Sequence, residues 1–195
     1  MSSAERQRRT VEAFLAWEEQ QPTRYEFDGV QPVAMTGGTA DHSRVQLNLL
    51  SALKAGLRGS SCEPFGSELK ILAAGTVRYP DAFVVCSPVL GKATYVTNPV
   101  VVFEMISPST SGTDRIIKNQ EYRDTSSIQR YVILEQDRQA AMVFARDHDD
   151  WTGHLIAGDA ELHMPEINIS LPLPELYVGV ELTVDPPADI SGGFG

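Results

Sequence analysis

Asp81 and Glu104 are carboxylates placed where carboxylates are costly. Asp81 follows Pro80 in the run Val77-Arg78-Tyr79-Pro80-Asp81-Ala82-Phe83-Val84-Val85, and Glu104 interrupts Val100-Val101-Val102-Phe103-Glu104-Met105-Ile106. Both runs are short, apolar and rich in β-branched residues, which predicts buried strands over 77–85 and 100–106. An ionised carboxylate in a buried strand is unfavourable unless something pairs with it. A divalent cation between the two would remove that cost, and all-oxygen ligands favour Mg2+ or Mn2+. Strands consecutive in sequence usually neighbour in space. The two side chains are therefore expected to converge, and the chemistry they suggest is metal-assisted hydrolysis, in which the ion lowers the pKa of a bound water.

Such a centre also needs a cation near the attacking or leaving oxygen. Lys118 is the first candidate: it lies one helical turn after Asp114 and one before Tyr122, on a shared face. An exposed lysine paired with Asp114 is the plainer reading of the same spacing. Lys70, in Glu68-Leu69-Lys70-Ile71, is a second candidate. Glu26 adjoins the Asp28-Gly29 turn, and His42 opens a helix after Gly37-Gly38. His148, His154 and His163 lack zinc-ligand spacing. Gly37-Gly38 is not a phosphate loop, and no Gly-x-Ser-x-Gly elbow occurs.

The elements that must position these residues can be read from periodicity. A short amphipathic helix over 10–19, stopped by Pro22, precedes a hairpin over 25–33 turning at Asp28-Gly29. Asp41 is expected to cap a long helix to about Leu57, with Gly56 and Gly59 at its end. Strands are predicted over 66–72, 77–85 and 100–106, with a turn at Gly75. A loop over 107–112 leads to a helix over 114–124, capped by Thr113. Further strands are expected over 131–134, 141–145 and 154–157, and an irregular stretch over 165–178, where Leu171-Pro172-Leu173-Pro174 disfavours a central strand. This order gives an α+β fold with one mixed β-sheet flanked by helices. It forms a single domain over 1–184, followed by a flexible tail over 185–195.

The chain has 195 residues, enough for one domain with a real core. Its net charge of −10 lacks the basic footprint of a phosphate-coated binder, but metal-holding carboxylates count in that sum and a bound ion reverses their local field. No apolar run is long enough to span a membrane, and the polar start predicts no secretory leader. Cys62 and Cys86 are expected to be reduced thiols in a cytoplasmic protein.

Pro80-Asp81, the string Phe103-Glu104-Met105-Ile106-Ser107-Pro108-Ser109-Thr110, and then Asp114, Lys118 and Tyr122 resemble the Uma-two restriction-endonuclease family of the PD-(D/E)XK nuclease superfamily. Tyr25-Glu26-Phe27-Asp28-Gly29, the His42 helix and Gln129-Arg130-Tyr131-Val132-Ile133-Leu134 match the same pattern. The resemblance covers roughly 10–178. It implies a restriction-endonuclease-like core, Asp81 and Glu104 as metal ligands, and Glu26 and His42 as site neighbours. Ile106 stands where the superfamily places its lysine, and Lys118 of the following helix is implied as the substitute.

The resulting expectation is a Mg2+- or Mn2+-dependent endonuclease acting on DNA phosphodiesters, with no membrane association. Cutting both strands favours a homodimer, a point the sequence leaves open. A nuclease-like fold that binds or regulates without cleaving is the rival that Ile106 and the acidic charge favour. A hydrolase of another phosphate ester is the third reading.

Overall fold

The computed structural model describes residues 10–106 and 112–183, with the side chains of 112–115 excepted. The 107–111 loop, the Thr113 cap, the Asp114 side chain and the 185–195 tail therefore lie outside the described residues. Helix α1 (Val11–Glu18) starts where the Thr10 hydroxyl accepts from the Ala13 N–H at 3.2 Å. Strands β1 (Tyr25–Phe27) and β2 (Pro32–Ala34) form the expected hairpin. Its turn is held by Asp28 Oδ1, which accepts from the N–H groups of Val30 and Gln31. Helix α2 (Ala40–Gly56) is capped by Thr39, whose Oγ1 accepts from His42 N–H at 3.1 Å. Asp41 is not the cap; it sits in the first turn and pairs with Arg44.

The next region departs most from expectation. Residues 66–72 do not form one strand: β3 (Glu63–Gly66) and β4 (Lys70–Ala73) are separated by a turn closed by Leu69 N–H on Gly66 O. Residues 77–85 likewise divide into β5 (Thr76–Arg78) and β6 (Ala82–Val85). Pro80 interrupts them because it supplies no N–H to a ladder. After β7 (Tyr95–Val96) come β8 (Val101–Ile106), α3 (Gly112–Asp124) and β9 (Arg130–Glu135). Strands β10 (Ala140–Asp147) and β11 (Asp150–Ala157) form a long hairpin. The 165–178 stretch is not irregular. Strand β13 (Ile169–Pro172) pairs with β12 (Glu161–Met164), and helix α4 (Leu173–Leu176) follows. Pro172 and Pro174 are accommodated because they fall at the strand's end and in the helix's first turn.

The strands make three sheets rather than one: a five-stranded sheet ordered β2-β1-β5-β4-β7, a six-stranded sheet ordered β11-β10-β9-β8-β6-β3, and the β12-β13 pair. The two large sheets are mixed, through the parallel pairs β4–β7 and β8–β9. Helices α2 and α3 flank the six-stranded sheet. Val45, Leu49 and Leu53 of α2 pack on Ala82, Val84, Val101, Phe103 and Val132. On the other face, Tyr122 of α3 and Ile128 pack with Phe83, Val102, Ile106, Tyr131 and Ile133.

Cys62 and Cys86 form a disulfide, which corrects the expectation of two reduced thiols. The antiparallel register of β3 on β6 ends at Glu63↔Val85, so the next residue on each chain lies directly opposite. No described helix is long and apolar enough to cross a membrane.

Candidate active site

Period two on β8 decides where Glu104 points. Val101, Phe103 and Met105 enter the α2-facing cluster, while Val102 and Ile106 enter the α3-facing one. Glu104 shares the parity of the latter pair, and its Oε1 meets two α3 groups: Lys118 Nζ at 3.1 Å and the Tyr122 hydroxyl at 2.8 Å. Lys118 and Tyr122, four apart, present to the same side of the helix. Lys118 is thus a largely buried partner of Glu104, not an exposed surface lysine.

Asp81 lies in the linker just before β6, beside β8. Its Oδ2 accepts from Met105 N–H at 2.6 Å, and its Oδ1 lies 2.8 Å from His42 Nε2. The β6–β8 register, Ala82↔Phe103, continues to set Asp81 against Glu104. The break at Tyr79-Pro80 therefore has a use: it turns the chain from one sheet to the other and leaves Asp81 at the strand mouth. His42 Nδ1 accepts from the Gln136 amide at 3.1 Å, and Gln136 Oε1 accepts from Thr39 at 3.1 Å. This chain of bonds places the ring proton of neutral His42 on Nε2, toward Asp81. Gly38 packs closely beside it: a Cβ there would lie 3.0 Å from the imidazole and the ring would have to give by a few tenths of an ångström.

Glu26 on β1 completes the group. Its Oε1 accepts from Tyr79 N–H at 3.0 Å and lies 3.4 Å from Lys118 Nζ. Its Oε2 accepts from Arg78 Nη1 at 3.1 Å. Arg78 turns its other edge to Glu121 in a bidentate pair of 2.7 and 2.6 Å. Glu26, His42, Asp81, Glu104 and Lys118 line one cavity of about 430 Å3. The structure thus brings together all five sequence-predicted residues. Lys70 is elsewhere: it is buried and bonded to Glu18 at 2.6 Å. His148 is exposed beside Asp147, His154 is on β11, and His163 bonds Ser170.

Sequence reasoning missed Arg78, Glu121 and Gln136. Glu121 had a faint signal, being one turn from Lys118. Arg78 had another, as a charge inside an apolar run. Gln136 had none, because its contact with His42 spans 94 positions.

The electrostatics favour a cation. Burial, with the charges of Asp81 and Glu26 adding, raises the Glu104 pKa to about 7 despite Lys118. Glu26 is also pushed up by burial, but Lys118 and Arg78 outweigh this and hold it below the ordinary carboxylate value. The hydrogen bond to Asp81 raises His42 against the opposing effect of burial. Burial raises the Tyr122 hydroxyl well above its usual range. Lys118 serves both Glu104 and Glu26, Asp81 adds its charge beside Glu104, and Arg78 is shared with Glu121, so negative charge is in surplus. Among the described residues, no three His, Cys, Asp or Glu side chains form a ready metal cage. Two carboxylates beside an open cavity instead suit an ion that keeps waters and takes its remaining ligands from substrate oxygens.

The structure is similar to that of a protein from Anabaena variabilis described as "a putative nuclease belonging to DUF820". The TM-score is 0.71 at 18% identity, covering 87% of this chain and 98% of the other. An uncharacterised protein of Synechocystis is 31% identical over 173 residues, spanning 87% of this chain and 91% of its own length. A second uncharacterised Synechocystis protein is 28% identical over 132 residues, 65% of this chain and 75% of the relative. The fold is accordingly the α+β, restriction-endonuclease-like one, with mixed sheets flanked by helices. The family model described as "Putative restriction endonuclease" matches residues 11–183, and the chain belongs to that family, Uma2.

Proposed function

We propose that this chain is a metal-dependent endonuclease that hydrolyses DNA phosphodiester bonds, with Asp81 and Glu104 as the ligands of Mg2+ or Mn2+. One observation carries the reading: a carboxylate at the mouth of β6 and one on the neighbouring β8 face one cavity, with a largely buried lysine on the second and negative charge in surplus. When bound, a hard divalent ion would supply an activated water and shield phosphate charge. The protein's own groups do the rest. Lys118, fixed between Glu104 and Glu26, is placed to stabilise charge on the scissile phosphate. His42 and the Met105 N–H orient Asp81 from opposite oxygens. Tyr122 donates to Glu104 and holds its rotamer.

Cleavage of both strands with one centre per chain would call for two chains, and the proposed location is the cytoplasm, with the Cys62–Cys86 disulfide as the feature that argues against it. Incubation of the full chain with supercoiled plasmid, with and without millimolar Mg2+ or Mn2+, tests the proposal. Metal-dependent nicking that disappears in Asp81→Asn and Glu104→Gln is expected. Turnover of small phosphate esters without nicking would point to the other hydrolase class. DNA binding with no turnover would favour a non-cleaving module, the reading supported by Ile106, which is packed among apolar side chains and leaves its strand without the superfamily's lysine.

A further inference from the structure

A second cavity, of about 780 Å3, adjoins the first and shares Met35, Thr36, His42 and Asp81 with it. In a chain of net charge −10, Asp81 is the sole carboxylate among the described residues that line it. The remaining polar wall is hydroxyls, amides, the His42 ring and one arginine. Thr36 and Ser43 contribute hydroxyls, and Arg24 lies at the edge, where its guanidinium pairs with Glu68, a residue that does not itself line the groove. Ser67 Oγ accepts from Gln46 Nε2 at 3.1 Å, which leaves its own O–H to donate. Gln46 is itself held by Asp81 O at 2.8 Å. Gly37 lies on this wall, and a Cβ added there would meet nothing within 4 Å.

We infer that this groove is the binding track for the sugar-phosphate strand that continues away from the Asp81–Glu104 centre. The inference rests on the phosphodiester reading above and adds to it where the strand runs. Hydroxyl and amide donors bond phosphate oxygens as Arg and Lys do, so an acidic protein can hold a strand where few acids border its path. Contacts on this side fix register next to the centre and carry no base information by themselves.

Gly37 offers a test because it takes a side chain without disturbing its neighbours. Binding of a fluorescein-labelled single strand, and of the corresponding duplex, to the full chain is measured by anisotropy in EDTA at low and moderate salt. Gly37→Lys should tighten binding several-fold and steepen the salt dependence by about 0.7 in log–log slope for the single strand. Gly37→Glu should weaken binding about ten-fold. Gly91 is equally open but lines neither cavity, so Gly91→Lys and Gly91→Glu control for net charge. Tightening confined to one probe identifies whether a free strand or a duplex occupies the track. Equal affinities for the two Gly37 variants, or equal shifts from the Gly91 pair, would overturn the groove. Failure of the wild type to bind either probe would also overturn it. Gly37-dependent binding without metal-dependent cleavage would instead remove the nuclease reading and leave the groove standing.

Discussion

Tyr79 touches two buried ion clusters that differ in charge balance. Its hydroxyl donates to Glu18 at 2.9 Å, where Lys70 binds the other carboxylate oxygen at 2.6 Å and lies over the Tyr79 ring. Its backbone N–H donates to Glu26, in the cluster of Glu26, Arg78, Glu121, Lys118, Glu104 and, nearby, Asp81. The first cluster is one anion to one cation, and neither Lys70 nor Glu18 lines the cavity. The second opens on the cavity with more acid than base. A balanced, closed pair ties α1 to β4 and to the linker before Asp81. An unbalanced, open one is poised for a ligand. Both look alike in the sequence, as isolated charges in apolar surroundings, and only their three-dimensional balance separates them.

The sharpest way to break the contrast is to remove the lysine from each. Lys118→Met should lower plasmid cleavage by about 100- to 1000-fold, since loss of one positioned donor costs roughly 3–4 kcal/mol of transition-state stabilisation. Its melting temperature should change less than in the closed pair, because Glu104, already raised to about 7, can take up a proton once the cation is gone, and it borders the cavity. Lys70→Met should do the reverse. It strands Glu18 in a closed site, which costs about 3–5 kcal/mol of stability by denaturant titration. The turnover of the fraction still folded should be near that of wild type. Equal stability losses in the two variants would erase the distinction between the clusters.

These residues also mark how far the sequence can be read. Glu104 is legible because its apolar flanks forbid a solvent-facing strand, and Lys118 and Tyr122 because a helix puts them on one side. The sheet assignment is less accessible. β5 and β6 form one apolar run, and their division between two sheets depends on pairing partners distant in the chain: β1 and β4 for one, β3 and β8 for the other. Pro80 is the local clue. Lys70 rivals Lys118 in the sequence because strand periodicity cannot say which sheet a strand joins. The disulfide is hidden for the same reason, since it follows from the β3–β6 register.

Glu104 gives a smaller, pH-dependent test of the open cluster. Its folded pKa is raised from 4.5 to about 7, chiefly by burial. A raised pKa means that the folded state holds the proton more tightly than the unfolded chain. The stability this contributes is complete below about pH 4.5 and is lost as the pH rises through about 7. The amide introduced by Glu104→Gln does not titrate. This variant should therefore match wild type near pH 4 and exceed it by about 1–3 kcal/mol at pH 8. Chemical denaturation at both values checks this. A constant difference across the range would mean that Glu104 is charged and already compensated.

The smallest effect expected is the response of stability to the ion itself. Only the folded chain brings Asp81 and Glu104 together, so a metal that binds there stabilises by mass action. At ten times its Kd the gain is about 1.4 kcal/mol. For a domain of this size that corresponds to a rise in Tm of roughly 3–6 °C. Millimolar Mn2+ should produce the rise, EDTA should reverse it, and both Asp81→Asn and Glu104→Gln should abolish it, because neutral amides bind hard cations poorly. Lys70→Met, although less stable, should retain the full increment, since its cluster takes no part in holding the ion. An increment that survives in Glu104→Gln but disappears in Lys70→Met would exchange the roles assigned to the two clusters.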